Sequence, residues 1–231
     1  MSRKVATLCL GTRRDAGTWE EGCRQLGYQV VVSVRSPNPT DEELREFFKC
    51  DAEWLYFGGH FNAGALYNHA RQERQPGGLA IQFTGEDVCV FRDEVFQYRL
   101  IKTGGFRLHE SAWLILWGGC STLATAGSVR TLRRLFNDHT ALGFNGKTSW
   151  EVVNSLLGGG SIQPGHFFNR FRAYGYESIS MGERAARMSW MEAGQAGYGG
   201  KALEDRIRAV DWDGKSWKLF RGQIVPGEIM R

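Results

Sequence analysis

Short apolar runs alternate with amphipathic stretches along most of this chain, and such alternation predicts strands that alternate with helices. The run from Ala112 to Trp117 is almost continuously apolar, which is typical of a central parallel strand covered on both faces. The sequence therefore predicts an α/β fold with a mostly parallel central sheet and helices on both faces. The earlier predicted elements are, in order, a strand from Val5 to Leu10, a helix from Gly17 to Leu26, a strand from Gln29 to Val34, a helix from Asp41 to Phe48 and a strand from Glu53 to Phe57.

The middle of the chain carries an insert between two of these predicted strands. Residues 62–110 are long for a strand connection, so we expect them to form a lid or a partner-docking element. Within the insert, Ile81 to Thr84 and Val88 to Phe91 flank Gly85-Glu86-Asp87, which predicts a β-hairpin. The later predicted elements are a helix from Ser121 to Phe136, a strand from Ala141 to Phe144, a long helical region from about Phe167 to Ala193, and a strand pair from Ala209 to Trp212 and from Trp217 to Phe220.

Length and charge narrow the class of protein. A chain of 231 residues, 42% of them hydrophobic, can bury the core of one α/β domain, and we expect a single domain over residues 1–231. The net charge of +4 is scattered without a run of five like charges, so we expect no nucleic-acid partner. No segment approaches the roughly 18 apolar residues of a membrane span, and the start resembles a buried strand rather than a signal peptide, so we expect no membrane partner.

The cysteines point to a reducing compartment. There are five of them, an odd number, and they lack the paired close spacings of a disulfide framework or a zinc site. We therefore expect reduced thiols in the cytoplasm, with neither a disulfide framework nor a zinc site. Four of the five lie in or beside apolar segments and are expected to serve packing: Cys9, Cys23, Cys50 and Cys89.

His60 and Cys120 occupy matching places in the pattern. Each follows an apolar predicted strand and a Gly-Gly pair, at the carboxyl end of the strand, where α/β proteins collect their catalytic groups. A thiol with a pKa near 8.5 is only a few per cent ionised at neutral pH, and a nearby imidazole stabilises the thiolate and supplies a proton to a leaving amine. We also expect Cys120 to open a helix whose dipole favours the thiolate, and the backbone N–H groups of Phe61 and Cys120 to form an oxyanion hole.

Two segments carry a more specific resemblance: Trp54-Leu55-Tyr56-Phe57-Gly58-Gly59-His60 and Trp113-Leu114-Ile115-Leu116-Trp117-Gly118-Gly119-Cys120. They resemble the two catalytic strands of the caspase-like cysteine peptidases, in look nearest to the bacterial CHAT-domain members. The strand from Ala141 to Gly146 and the helical region from Phe167 to Ala193 are similar to later elements of that family.

The resemblance implies a caspase-like three-layer sandwich and an activity. It implies a cytoplasmic cysteine endopeptidase with Cys120 as nucleophile and His60 as general acid and base, acting on a protein or peptide substrate without metal or cofactor. Such domains are often gated, so an activating or regulatory protein is expected. The chain has Phe61 where the family usually has glycine, and Gly118-Gly119 where an acidic or glutamine-containing lead-in is common, so an inactive caspase-like binding or regulatory module is the alternative.

Other motifs favour ordinary structural roles. The segment from Ala141 to Thr148 satisfies a relaxed phosphate-loop pattern with Lys147, which leaves a nucleotide-binding α/β protein as a third alternative, but its first half is itself a predicted strand. The remaining histidines are expected to be structural or surface residues: His69, His109, His139 and His166. A group of charges in the late helices is expected to form a solvated face: Arg172, Arg184, Arg187, Glu177, Glu183 and Glu192.

Overall fold

A computed structural model describes residues 3–11, 13–62, 64–84, 88–93, 98–101, 111–135, 139–159, 166–199 and 201–230. The strands are β1 (Lys4–Cys9), β2 (Gln29–Arg35), β3 (Trp54–Gly58), β4 (His60–Asn62), β5 (Ala65–Tyr67), β6 (Gly78–Phe83), β7 (Val88–Asp93), β8 (Tyr98–Ile101), β9 (Leu114–Trp117), β10 (Thr140–Phe144), β11 (Ile207–Val210), β12 (Lys215–Phe220) and β13 (Gln223–Ile229). The helices are α1 (Arg14–Gln25), α2 (Asp41–Lys49), α3 (His69–Gln72), α4 (Ala126–Leu135), α5 (Trp150–Leu157), α6 (Phe167–Tyr174) and α7 (Ile179–Ala196).

The main sheet has eight strands in the order β13-β12-β11-β10-β9-β3-β1-β2. The neighbours from β2 to β10 pair in parallel, and β11, β12 and β13 extend the sheet by antiparallel pairing. The predicted α/β fold is therefore confirmed, with a sheet that is mixed rather than uniformly parallel. The strand β13 was not predicted, because Pro226 and Gly227 interrupt its pattern; as an edge strand it tolerates the missing proline N–H.

Alternate residues of the central strands face two hydrophobic clusters. In β3, Leu55 and Phe57 join one cluster, with α2 and α4, while Trp54 and Tyr56 join the other, with α1, α5, α6 and α7. Phe57 stacks on Trp117 of the neighbouring strand, with 4.3 Å between ring centroids. Because all of these strand residues are fully buried, the sheet is covered on both faces, as its continuous apolar runs predicted.

The insert forms a second sheet of five antiparallel strands in the order β4-β5-β6-β7-β8. The predicted hairpin is present as β6 and β7, with Phe83 opposite Val88, and residues 85–87 of its turn lie outside the described part of the chain. Phe61, Ile81 and Phe83 are buried in the same cluster as Phe57 of the main sheet. The insert therefore shares a core with the central sheet, and a role as a lid or docking element stays a prediction.

The predicted helix from Ser121 is wrong at its start. Helix α4 begins only at Ala126, and Phe136 lies outside the described residues. The backbone of the preceding residues bonds across to the end of β10 instead: Ser121 N–H donates to Gly146 O at 2.9 Å and Leu123 N–H to Phe144 O at 2.9 Å. These tertiary hydrogen bonds replace the intrahelical ones that a helix beginning at Ser121 would need.

The late helical region also differs from its prediction. It is two helices, α6 and α7, separated at Gly175, whose φ of +60° suits glycine. The expected solvated face is wrong for three of its members, because Glu183, Arg187 and Glu192 are half-buried. Arg187 forms an ion pair with Asp211 at 3.0 Å, and Glu192 forms one with Arg170 at 2.7 Å. The helix α7 thus carries charges against the sheet as well as toward solvent.

Candidate active site

The strands that precede His60 and Cys120 are direct neighbours. β3 and β9 pair in parallel with Phe57 opposite Trp117, and His60 and Cys120 each lie three residues beyond this pair. Neighbouring strands are about 4.8 Å apart, so the two turns leave the same edge of the sheet side by side. The register thus places the two residues at equivalent positions.

The two Gly-Gly turns lie in close contact, and the contact leaves no space for side chains. A Cβ on Gly119 would lie 2.7 Å from Cβ of Phe61 and 3.1 Å from the carbonyl oxygen of Gly59. A Cβ on Gly118 would overlap the hydroxyl of Tyr56. Glycine at these positions therefore lets the backbone before Cys120 approach the backbone around His60.

His60 and Cys120 line one cavity of about 530 Å³, a size that suits a bound peptide segment or small ligand. The cavity lies at the carboxyl edge of the parallel strands, between the loops after β1, β2, β3 and β9 and the start of α5. Other lining residues include Leu10, Arg13, Asn38, Asn68, His69 and Trp150. His69, expected to be structural or at the surface, is thus part of the wall.

The environment of His60 favours the neutral imidazole. The side chain is half-buried, and its ring lies 5.7 Å from each of the Tyr67 and His69 ring centroids. Burial lowers the pKa of His60 below 6.5, and the positive charges of Arg13 and His69 lower it further. At neutral pH the ring is therefore able to accept a proton, as a general base must.

The thiol of Cys120 is held by the backbone of Thr148. The Sγ donates to Thr148 O at 3.1 Å and accepts from Thr148 N–H at 3.3 Å. Within the described part of the chain, no hydrogen bond joins this thiol to His60. These two contacts hold the sulfur against the backbone of Thr148, and we call this arrangement the resting position of the thiol.

The oxyanion hole of Phe61 and Cys120 stays a prediction, and the helix expected to begin at Cys120 is absent. Cys120 does not open a helix, so the expected helix dipole at its thiol is wrong. Ser121, the next residue, has a φ of +53°, an uncommon conformation for a non-glycine residue that its bond to Gly146 holds in place. Phe61 packs its ring into the core near Trp117, so its bulk does not block the cavity, and its N–H as an oxyanion donor stays a prediction.

Arg13 is the site residue that sequence reasoning missed. Its Nη1 donates to the carbonyl of Gly59 at 3.0 Å, and its Nη2 donates to the carbonyl of Gly118 at 3.0 Å. The same guanidinium pairs with the buried Asp15, which also accepts a hydrogen bond from the Tyr56 hydroxyl at 2.6 Å. The strand β1 ends at the same edge of the sheet as β3 and β9, so Arg13, which follows β1, lies near His60 and Cys120. This shared edge is the signal in the sequence that could have identified Arg13.

Of the phosphate-loop pattern, only Thr148 is part of this arrangement, through its contact with Cys120. Helix α5 begins at Trp150 with Ser149 as its N-cap, so the phosphate-loop pattern ends before the helix, and Lys147 is exposed. His139 is buried, His166 is half-buried and His109 lies outside the described residues.

The other cysteines differ from Cys120 in their surroundings. Burial and the negative charge of Asp15 raise the pKa of Cys9 to about 12. Burial, with Asp51 nearby, raises the pKa of Cys50 to about 12. Cys23 is fully buried, and Cys89 is half-buried on β7. At neutral pH the thiols of Cys9 and Cys50 are therefore almost entirely protonated and poorly nucleophilic.

Two comparisons with known proteins found no relative. A scan against models of known protein families found no match, and a search of curated proteins found none.

Of the side chains that the structure describes, no group of three or more His, Cys, Asp or Glu is arranged to hold a metal ion. None of the described helices combines the length and the apolar character that crossing a membrane requires.

Proposed function

We propose that this chain is a caspase-like cysteine peptidase that uses His60 and Cys120 as a dyad on a protein or peptide substrate, in the cytoplasm. The observation that carries the proposal is the equivalent placement of the two residues, three positions beyond the Phe57–Trp117 pair and on the wall of one cavity. A thiol and an imidazole on the wall of one cavity are the groups that acyl transfer uses as nucleophile and base.

The chemistry follows from the groups at the site. His60 accepts the thiol proton, and the thiolate of Cys120 attacks the carbonyl carbon of the scissile peptide bond. The N–H groups of Phe61 and Cys120 bind the oxyanion of the tetrahedral intermediate. The imidazolium then protonates the leaving amine as the C–N bond breaks, and water hydrolyses the thioester with His60 again as base.

The contact between Cys120 and Thr148 supports a gated enzyme. In the resting position the thiol donates to the Thr148 carbonyl, so the thiol proton is engaged by that carbonyl and not by His60. Cleavage requires the sulfur to leave this carbonyl, through a rotation of the Cys120 side chain or a shift of the segment that carries Thr148. A substrate or an activating protein that binds the cavity beside Ser149 and Trp150 is in position to cause that shift.

The test measures the reactivity of each thiol. The full chain is treated with iodoacetamide near neutral pH, and the alkylation rate of every cysteine is followed by peptide mass mapping. Cys120 should react fastest, since burial holds the pKa values of Cys9 and Cys50 at about 12. His60→Ala should slow Cys120 by roughly 100- to 10,000-fold, as expected when a general base is lost, and His139→Ala is the control.

Cleavage is measured in parallel on a peptide library by mass spectrometry. Cys120→Ala should abolish cleavage, while Cys89→Ala, which removes another half-buried thiol, should retain it. A library that is cut equally by both variants, or a Cys120 rate that does not respond to His60→Ala, would contradict the peptidase.

The resting bond from Cys120 to Thr148 also favours a second candidate, a caspase-like binding or regulatory module without chemistry. In that case the cavity binds its partner, and the thiol stays with Thr148 in the complex. The two candidates differ in one result: the module predicts that Cys120 reacts no faster than the half-buried Cys89, with or without His60.

A further inference from the structure

Three polar side chains beneath the site connect the turns that carry His60 and Cys120. Arg13 donates to the carbonyl of Gly59, directly before His60, and to the carbonyl of Gly118, two residues before Cys120, each at 3.0 Å. Asp15 binds the guanidinium from the other side and is itself bound by the Tyr56 hydroxyl. We name this set, Arg13, Asp15 and Tyr56, the Arg13 clamp.

We propose that the Arg13 clamp is a positioning device that sets the distance and orientation between the imidazole of His60 and the thiol of Cys120. This inference rests on the proposed dyad. Arg13 acts through the two backbone turns and is therefore a positioning residue rather than a catalytic one.

The burial of the clamp explains why its geometry is well defined. Asp15 is fully buried, and only 17% of the Arg13 side chain is exposed. A buried carboxylate needs charge-assisted hydrogen bonds, and the planar guanidinium supplies several donors in fixed directions. Tyr56, fully buried on β3, donates to the same carboxylate and so orients it from the sheet.

The clamp joins the two turns just beyond the point where the pairing of β3 and β9 ends. The paired residues of β3 and β9 end at Phe57 and Trp117, and beyond them the chain enters the second sheet on one side and the turn of Cys120 on the other. Gly118 N–H still donates to Phe57 O at 2.7 Å, but the next residues have no strand partner in common. Arg13 replaces the missing ladder with its two hydrogen bonds.

The Arg13→Lys variant separates the effect of the guanidinium geometry from the effect of its charge. Arg13→Lys keeps the positive charge that contributes to the lowered pKa of His60, but an ammonium group on a flexible chain cannot reproduce the planar fork that reaches two carbonyls and a carboxylate together. Tyr56→Phe removes only the hydroxyl that orients Asp15. A matched control is Arg187→Lys, because Arg187 has a 15% exposed side chain, pairs with Asp211, and lies toward the opposite end of the parallel strands.

The experiment measures iodoacetamide alkylation of Cys120 in the full chain from about pH 5 to about pH 9, together with thermal unfolding. Arg13→Lys should lower the His60-dependent rate by about 10- to 100-fold, the loss expected from a misplacement near 1 Å, and Tyr56→Phe should lower it less. Arg13→Lys combined with His60→Ala should react no more slowly than His60→Ala alone. Arg187→Lys should keep the wild-type rate even where its unfolding temperature falls.

The outcomes separate the clamp from the dyad. A wild-type rate equal to that of His60→Ala would refute the dyad and the clamp with it. A wild-type rate that depends on His60, together with an unchanged rate in folded Arg13→Lys, would refute the clamp alone. Equal rate losses in Arg13→Lys and Arg187→Lys would show a general effect of lost stability and would likewise overturn the positioning role.

Discussion

Gly119→Ala tests the backbone contact that brings the two turns of the site together. The new Cβ would lie 2.7 Å from Cβ of Phe61 and 3.1 Å from the carbonyl oxygen of Gly59. Two carbon atoms at rest prefer about 3.5 to 4.0 Å, so the turn before Cys120 must move away from the turn before His60 by about 1 Å. The φ of Gly119 is not positive, so alanine meets a steric obstacle here and not a conformational one.

Overpacking of this kind costs about 1–3 kcal/mol of the free energy of unfolding. The reduced freedom of the unfolded chain returns about 0.4–1 kcal/mol when glycine becomes alanine. For a chain of this size each kcal/mol moves the unfolding temperature by about 2–4 °C, so the middle of these ranges gives a net decrease of about 4 °C, and the upper end about 10 °C. The displaced turn should also slow the His60-dependent alkylation of Cys120.

Gly146→Ala is the matched control, since a Cβ there meets no atom within 4 Å and its φ is not positive either. This variant should unfold at the wild-type temperature or slightly above it. Differential scanning calorimetry of both variants, with the alkylation assay, gives the comparison. If Gly119→Ala has the same unfolding temperature as Gly146→Ala, and its Cys120 is alkylated at the wild-type rate, then the site does not depend on the close contact between the turns.

Three further predictions concern titration and capping. Because the pKa of His60 is lowered, the rate of Cys120 alkylation should fall on the acid side only below pH 6.5, and a fall that begins above pH 6.5 would contradict this. The free energy of unfolding should decrease as the pH falls from 6.5 toward the pKa of His60 in the folded state. Burial raises the pKa of Glu183 from 4.5 to about 7, so the free energy of unfolding should fall as the pH rises through that interval. Glu183→Gln should remove this pH dependence. In urea unfolding at pH 8 the variant should be more stable by about 1 kcal/mol, a value reduced because the carboxyl is partly exposed. Thr40→Ala should cost about 1 kcal/mol by breaking the capping box with Glu43, whereas Thr40→Ser should restore most of it.

Local sequence patterns were sufficient for most of the elements that surround the core. The strand β3 is apolar from Trp54 to Phe57 and is fully buried, and helix α2 begins at Asp41, where the predicted helix begins. Short strands such as β4 and β5, three residues each, offer too few positions for a periodic signal. Their partners come from elsewhere in the insert, so only tertiary pairing forms them.

The sequence by itself determined that His60 and Cys120 each follow a buried strand and a Gly-Gly pair, because burial and close backbone approach leave a mark on the residues concerned. Tertiary structure alone decided that the two strands are neighbours, that Thr148 holds the thiol, and that Arg13 reaches the carbonyl of Gly118 from 105 residues away. Hydrogen bonds to backbone carbonyls place no demand on the identity of the residue that accepts them. Such contacts depend on where the chain returns in space, and the sequence around the acceptor carries no sign of them.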